Sequence, residues 1–501
     1  MRGVDAAFLA MERGNEPRHL GSLMIFEPSA DGPLDRAAVK AALEARLPGM
    51  PTARRVVAPS TTGFTRPSWR TVDRVDLDVH LRHTTLPAGD DPRAALDEVV
   101  AKVHATRLDR QRPLWQLHLI DGLPDDRVAV YAKVHMAAID DTTGVSLMTA
   151  LLDDDPAGNP TMDTVDAQPE SANRFVDRMV RPVPDQVRRA AGFPGRLAGR
   201  SARAMGEQLP GMGATAREVA RRWPGMDRLA RLLPGDADGD DDHEHPTGRA
   251  PRLSFNEAIG PRRVFAAATA PIDQLIAVRA AAHDGSAPVS FHAVALAACA
   301  GALRRWLLAN DELPTSPIVA VVPVLVKGER EGDAQVAGIM ISLPTHVADP
   351  RRRLEQTALN LERAKERQVA MPVSLSQDIA MFAPPAVAAL ANRINDAMPH
   401  RQFISPTVNL GITNVPGPQR PVFLAGRPLL SSHPVLSVSD ITPLHLGLQA
   451  GPTTLGLGAI ADGDTVDDLT GLVDAVGIEL AELAAAFAPR PGRGTRRKGA
   501  S

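Results

Sequence analysis

Cysteine is almost absent: the chain of 501 residues has one, Cys299. No disulfide can form within it, and a cytoplasmic setting is the simplest reading. Cys299 lies in an apolar run with nothing polar beside it, so it reads as a small core residue and not as a nucleophile. Aromatic residues make up only 3%, with a single tyrosine, so the cores must rest on Ala, Val, Leu and Ile. An excess of one charge is missing too. With 56 basic against 59 acidic residues the net charge is −3, which gives no footprint for nucleic acid. No apolar run reaches the roughly 18–20 residues that span a bilayer. The longest, Phe291 to Leu303, contains His292 and stops at Arg304 and Arg305. The N-terminal MRGVDAAFLAMERG carries Asp5, Glu12 and Arg13 and does not read as a secretory signal. No transmembrane segment is predicted, so any contact with lipid has to be peripheral.

What is present is 44% hydrophobic residues, ample for packed cores, in a chain long enough for two domains. Residues 1–155 mix helices and strands. Leu34 to Arg46 and Arg93 to Thr106 have helical apolar spacing. Leu117 to Ile120 and Arg127 to Val134 read as neighbouring strands separated by Asp121-Gly122 and Pro124-Asp125, and Val145 to Leu152 as a helix. Residues 156–249 are rich in Pro and Gly, with 13 Arg against five acidic residues between Arg174 and Arg231. They read as a linker with short amphipathic helices, either a solvated connector or a cationic flap for anionic lipid or acyl-CoA. DDDHEH, Asp240 to His245, has no further ligands at defined spacing, and no metal site is assigned to it. Residues 250–489 are mixed again. Helices are expected over Ile272–Ala282, His292–Leu308, Arg351–Gln368 and Val466–Phe487, and strands over Ile318–Val326, Val336–Leu343 and Leu455–Ala461. The Arg- and Gly-rich tail, 490–501, is expected to be disordered.

The segment that carries chemistry is Tyr131 to Gly144, YAKVHMAAIDDTTG, past a strand end and before a helix, where a rigid strand delivers side chains to a loop. It resembles the acyltransfer signature HHxxxDG, with His135 at the first histidine, Met136 at the second, Asp140 at the aspartate and Asp141 at the glycine. Further blocks lie in order along the chain: VDAAFLAMERGNEPRHLGSLMIFEP (Val4 to Pro28), PSWRTVDRVDLDVHLRH, RLDRQRPLWQLHLIDGL (Arg107 to Leu123) with Pro113-Leu114-Trp115, GALRRWL (Gly301 to Leu307), MISLPTHVADPRRRL (Met340 to Leu354) and TNVPGP (Thr413 to Pro418). Together they resemble the bacterial wax ester synthase/acyl-CoA:diacylglycerol O-acyltransferase family, over most of the chain apart from the linker and tail.

The resemblance implies an α/β fold of two chloramphenicol-acetyltransferase-like domains, with mixed sheets flanked by helices, joined by a helical crossover. It implies a tunnel between them in which acyl-CoA, as co-substrate, meets diacylglycerol or a long-chain alcohol. It implies no bound cofactor, and a cytoplasmic protein peripheral to the inner membrane or lipid droplets. In the family the second motif histidine takes the hydroxyl proton and the aspartate orients the loop.

Bottom-up chemistry agrees that an alcohol needs a base within hydrogen-bond reach, and here three positions depart from the pattern. Met136 is a thioether, unable to accept a proton at neutral pH. Asp141 puts a charge where the motif has glycine. His292-Ala293 stands where Asn-Asp usually opens a helix of the second half. His135 can be a packed structural histidine, since consecutive residues of an extended chain face opposite ways, or a base that rescues the site; His118 and His292 are further candidates. Asp140 is read as a helix cap or orienting residue and Gly144 as a loop-to-helix bend. TNVPGP reads as a turn fixed by Pro416-Gly417-Pro418, with Asn414 bonding the motif loop or a substrate. The alternative to an enzyme is a non-catalytic acyl- or CoA-binding protein on the same fold; acyl transfer to another acceptor is a third reading.

Overall fold

A computed structural model describes residues 1, 3–58, 67–139, 151–157, 250–282, 289–327, 334–369 and 406–488. The helices are α1 (Gly3–Met11), α2 (Arg36–Arg46), α3 (Leu77–His80), α4 (Pro92–Ala105), α5 (Ile272–Ala281), α6 (Phe291–Ala309), α7 (Pro350–Val369) and α8 (Thr470–Phe487). The strands of the first half are β1 (His19–Phe26), β2 (Arg55–Ala58), β3 (Ser68–Thr71), β4 (Leu81–Thr85), β5 (Trp115–Asp121) and β6 (Val128–His135). Those of the second are β7 (Arg263–Pro271), β8 (Ile318–Lys327), β9 (Ala334–Leu343), β10 (Leu410–Pro416), β11 (Phe423–Leu424), β12 (Arg427–Val435), β13 (Leu444–Ala450) and β14 (Thr454–Asp462).

Capping residues set several helix starts. Asp35 accepts the Ala38 N–H at the head of α2, and Asp91 that of Ala94, with Pro92 at the first helical position of α4. Ser290 accepts the Ala293 N–H before α6. Each such oxygen satisfies a donor the helix leaves free, worth about 1 kcal/mol.

Two mixed sheets follow, in the orders β11-β12-β1-β6-β5-β4 and β7-β14-β13-β10-β8-β9, with β2-β3 as a separate hairpin. The first contains one parallel pair, β4 with β5, and the second two, β10 with β13 and with β8. Two strands of the second half, β11 and β12, thus complete the first sheet. β12 pairs antiparallel with β1, and Ser22 Oγ meets Ser432 Oγ at 2.9 Å. On one face of this sheet Met24, Leu117, Val130 and Val134 pack with Val39 and Leu43 of α2. The opposite face packs Leu23 and Tyr131 with Val100 of α4 and with Phe265 and Ile460 of the second sheet. The two halves therefore share one core, tied further by Arg93 of α4, which donates to the Ala267 carbonyl and pairs with Asp474 at 2.7 Å.

Helix α6 is long and apolar enough to cross a membrane by length and composition, with 67% of that stretch buried. Leu296, Cys299, Leu303 and Leu307 join the core of the second sheet, which is the packing of a central helix in an α/β layer.

The expected strands at Leu117 and Arg127 are β5 and β6, paired antiparallel. TNVPGP is corrected: Thr413 to Pro416 are the end of β10, parallel to β13, and the chain bends only at Gln419 and Arg420. A β-carbon on Gly417 would lie 2.2 Å from the Ala450 carbonyl oxygen, so this close approach needs glycine. The terminal helix begins at Thr470 and not at Val466. Leu151 and Leu152 are not helical, and the rest of the helix expected from Val145 lies outside the described residues, as do the linker and the basic tail.

Candidate active site

Strand β6 is buried along its whole length, and alternation sends Tyr131, Lys133 and His135 to one face of the sheet. Its partner β1 sets His19 opposite His135, Gly21 opposite Lys133 and Leu23 opposite Tyr131. A β-carbon on Gly21 would lie 2.5 Å from the Tyr131 hydroxyl, so glycine there makes room for the only tyrosine. His104 of α4 covers this face. The result is a buried polar cluster of His19, His104, Tyr131, Lys133 and His135, each at most 1% exposed.

Hydrogen bonds fix the ring tautomers, because backbone N–H groups only donate and carbonyls only accept. His135 Nδ1 accepts the Ala137 N–H at 2.9 Å, capping the 3₁₀ turn Met136–Ala138. The proton of a neutral His135 is therefore on Nε2, which faces Glu12 Oε2 at 3.8 Å and has no hydrogen-bond partner among the described residues. His19 is the reverse. Its Nδ1 donates to the His104 carbonyl at 3.3 Å, leaving the lone pair of a buried Nε2 unengaged among the described residues. The two rings lie 5.7 Å apart, edge to face. His104 Nδ1 accepts from the Tyr131 hydroxyl at 2.6 Å. Lys133 donates to the Val103 and Thr106 carbonyls, each at 2.7 Å.

Burial disfavours the charged form of each of these groups. It pushes His135 down to about 3, helped by Arg110 and Arg18, and His104 down to about 3. Burial, then the Lys133 charge, holds His19 well below the ordinary imidazole value. Burial alone lowers Lys133 to about 7. Losing water disfavours each charged form, and neighbouring cations add to that.

Three segments hold the motif turn. Met136 N–H donates to the Arg18 carbonyl at 2.9 Å, with Arg18 in the left-handed region at φ 46°, a strained conformation of the kind that collects at functional sites. His135 N–H donates to the Leu114 carbonyl at 3.0 Å, so Pro113-Leu114-Trp115 lies directly against the motif. Glu12, just past α1, is gripped by Arg110, whose Nε donates to Oε2 at 2.8 Å; its other oxygen, Oε1, is buried and unpartnered among the described residues. Trp115 is buried, and its indole donates to the Ala53 carbonyl at 2.8 Å.

Of the expected residues, the structure gathers His135, Met136, Pro113, Leu114 and Trp115. Met136 is half-buried beside the buried His135. Asp140, Asp141 and Gly144 lie outside the described residues. His118 points to the same face as Tyr131, 6.4 Å between rings, and shares a hydrogen bond with Gln116 at 3.4 Å. His292 stands elsewhere, at the head of α6, with Lys365 among its influences and burial lowering it to about 4. Asn414 Oδ1 is buried without a partner among the described residues. Its neighbour Thr413 donates to His445 Nε2 at 2.9 Å, since His445 Nδ1 donates to the Ser437 carbonyl. The Pro416 carbonyl accepts from Gln449 at 3.0 Å, and that of Gly417 from Gln419 at 3.1 Å. Sequence reasoning missed His19, Glu12 and His104. The signal was available in PRHLGS and AKVHATR, but only the pairing of β1 with β6 brings His19 to His135, and only the packing of α4 brings His104 to the same face.

Among the described residues no group of three or more His, Cys, Asp or Glu is arranged to hold a metal ion. The family model described as the wax ester synthase/diacylglycerol acyltransferase catalytic domain matches residues 1–286, and that of the WS/DGAT C-terminal domain residues 334–484. A Mycobacterium tuberculosis protein named "Probable diacyglycerol O-acyltransferase tgs2" is 30% identical over 477 residues, covering 94% of this chain and 95% of its own. A second protein of that organism, named for the same activity, is 31% identical over 490 residues, covering 96% and 99%. The solved wax ester synthase/diacylglycerol acyltransferase from Marinobacter aquaeolei VT8 superposes with a TM-score of 0.64 at 26% identity, over 97% of this chain and 98% of that one.

Proposed function

The chain belongs to the wax ester synthase/diacylglycerol acyltransferase family, and on that premise we propose that it transfers the acyl group of acyl-CoA to the hydroxyl of diacylglycerol or a long-chain alcohol. The carrying observation is the end-to-end match, with sequence and fold agreeing over more than nine-tenths of the chain. In this reaction the hydroxyl oxygen attacks the thioester carbonyl, an ester C–O bond forms, the C–S bond breaks, and the hydroxyl proton passes by way of a base to the departing CoA sulfur.

With Met136 at the usual base position, the proton needs another acceptor. The Nδ1 lone pair of His135 is engaged by Ala137, so His135 acts as base only by releasing the turn it caps. His19 holds a free lone pair on Nε2, beside that turn and in a neutral ring. We therefore assign His19 the accepting role and His135, with Glu12, the role of positioning it. A base in this position contributes roughly 10²–10⁴ in rate. Asp140 and Gly144 keep the proposed role of shaping the loop after the turn, and Asn414 that of a contact on the second half. Both substrates carry long apolar chains, so the reading extends to peripheral contact with a membrane or lipid-droplet surface.

The test is release of free CoA by the purified protein, given palmitoyl-CoA with diacylglycerol or hexadecanol. Acceptor-dependent release that His19→Gln abolishes, and His135→Asn only weakens, supports the reading. Absence of release from the native chain, with release appearing in Met136→His, would make this chain a binding protein on the same fold.

A further inference from the structure

Beside the segment that holds the motif turn, the first domain has a cavity of about 260 Å³ lined by Arg82, Arg107, Arg112, His80, Asp109 and Gln116 among others. Three guanidinium groups from two chain segments converge there against one carboxylate. Arg112 is already engaged, with Asp109 at 3.3 Å and Asp76 at 3.7 Å. The Arg107 side chain bonds to the Gly14 carbonyl, and the Arg82 side chain, on β4, makes no hydrogen bond or ion pair among the described residues. Two positive charges thus face the cavity uncompensated. Gln116 gives its carbonyl oxygen to His118, which leaves its amide hydrogens for a ligand. His80 donates Nδ1–H to the Trp115 carbonyl at 2.7 Å, so its ring is fixed in the wall. Burial keeps that ring neutral, and the Arg112 and Arg82 charges add to this while Asp76 opposes it. The floor is Pro113 and Trp115, the same stretch whose Leu114 carbonyl holds the His135 backbone.

The geometry points to a phosphate-binding site in this cavity, and, resting on the acyl-CoA reading above, to the phosphates at the nucleotide end of CoA as its occupant. Guanidinium groups recognise phosphate by paired N–H donors. A concave site whose charge is not cancelled by carboxylates concentrates an anion that a flat surface would not. Holding the nucleotide end against the 107–116 segment would anchor the ligand on the backbone that carries the motif, so that binding energy far from the thioester serves to position it.

The experiment is calorimetric titration of the full-length protein with CoA and with inorganic pyrophosphate, compared with Arg82→Gln and Arg107→Gln. Arg82 is exposed and unpaired, so its replacement removes donors without breaking packing. Competition of pyrophosphate with CoA, and about tenfold or greater weakening of both in either variant, is the expected result, with affinity falling as salt rises. Equal affinity for CoA in the native chain and both variants would overturn the inference. So would Arg82-dependent capture on phosphatidylcholine vesicles containing phosphatidic acid without CoA binding, because the phosphate recognised would then be a lipid headgroup. The readout is independent of turnover. Arg82-dependent CoA binding in a protein that transfers no acyl group leaves this inference standing and removes the acyltransfer reading; normal turnover with unchanged CoA affinity in Arg82→Gln removes this inference alone.

Discussion

His135 gives its one accepting nitrogen to Ala137, two residues along its own chain, at 2.9 Å. The ring is thereby a cap for the turn that presents Met136. His135→Ala should cost about 0.5–2 kcal/mol, while His135→Asn, which keeps a short acceptor, should retain most of that stability. Thermal unfolding of the two variants measures the difference. A positioning role also predicts that His135→Asn keeps more of any CoA-releasing activity than His135→Ala; equal activities would argue against it.

The pH dependence of turnover separates the native base from an installed one. His135 is held at about 3, and burial shifts the titration of His19 in the same direction, well below its ordinary value. Any acid limb of kcat that His19 causes in the native protein should therefore lie below the ordinary imidazole value of about 6.5. In Met136→His the new ring sits at a half-buried position and should titrate nearer the ordinary imidazole value, around 6.5. With the installed ring acting as base, the rate should fall as pH drops below its pKa. A flat profile in Met136→His would mean that the installed ring takes no proton.

Much of this arrangement is legible along the chain, and the rest fails for one physical reason. Strands β5 and β6 announce themselves as apolar or alternating runs between turn signals, and α4 and α7 by helical spacing, because those signals are local. The cluster around His135 is non-local. Its His19 arrives by pairing of β1 with β6, and its His104 by packing of α4 on the same face. β12 joins the first sheet across the 410 residues separating Ser22 from Ser432, which no window on the sequence can see. TNVPGP reads as a turn from its Pro and Gly alone. It ends a strand because Pro416, at the strand's last position, still has its carbonyl for Gln449.

The contact between α4 and β7 contains a carboxylate that works against folding at neutral pH. Asp97 is 6% exposed, and burial raises it from 3.8 to about 7; the Ala267 N–H at 3.4 Å and the Arg93 charge oppose this only in part. Between those two values the native state binds a proton that the unfolded chain does not. Stability is therefore lost as pH rises from about 4 to 7, and the full cost is present above 7. Asp97→Asn should raise stability by roughly 2–4 kcal/mol at pH 8 and change it little at pH 4. Denaturant titration at both values tests this, and an equal gain at the two would remove the protonation argument.

A second buried charge gives a prediction whose sign depends on its partner. Arg353 of α7 and Glu479 of α8 form an ion pair with side chains 1% and 3% exposed, set against Gly301 of α6. A β-carbon on Gly301 would lie 2.0 Å from Glu479 Oε2 and 2.7 Å from an Arg353 nitrogen, so the absence of a side chain in GALRRWL is what lets three helices close around the pair. Glu479→Leu leaves the Arg353 charge buried without a carboxylate and should cost about 3–5 kcal/mol; Arg353→Met should cost less, because Glu479 Oε1 still accepts from Arg305. The double variant should recover most of that loss, because an apolar pair of similar size needs no compensating charge. Gly301→Ala should be severely destabilising in the native chain, since the pair must move to admit the methyl group. In the Arg353→Met, Glu479→Leu background the clash is gone, and alanine in place of glycine inside a helix is worth about 1 kcal/mol. The same substitution should there be neutral or stabilising. Denaturant titration of the four chains closes the cycle, and a Gly301→Ala cost that is the same in both backgrounds would show that the helices, and not the ion pair, demand the glycine.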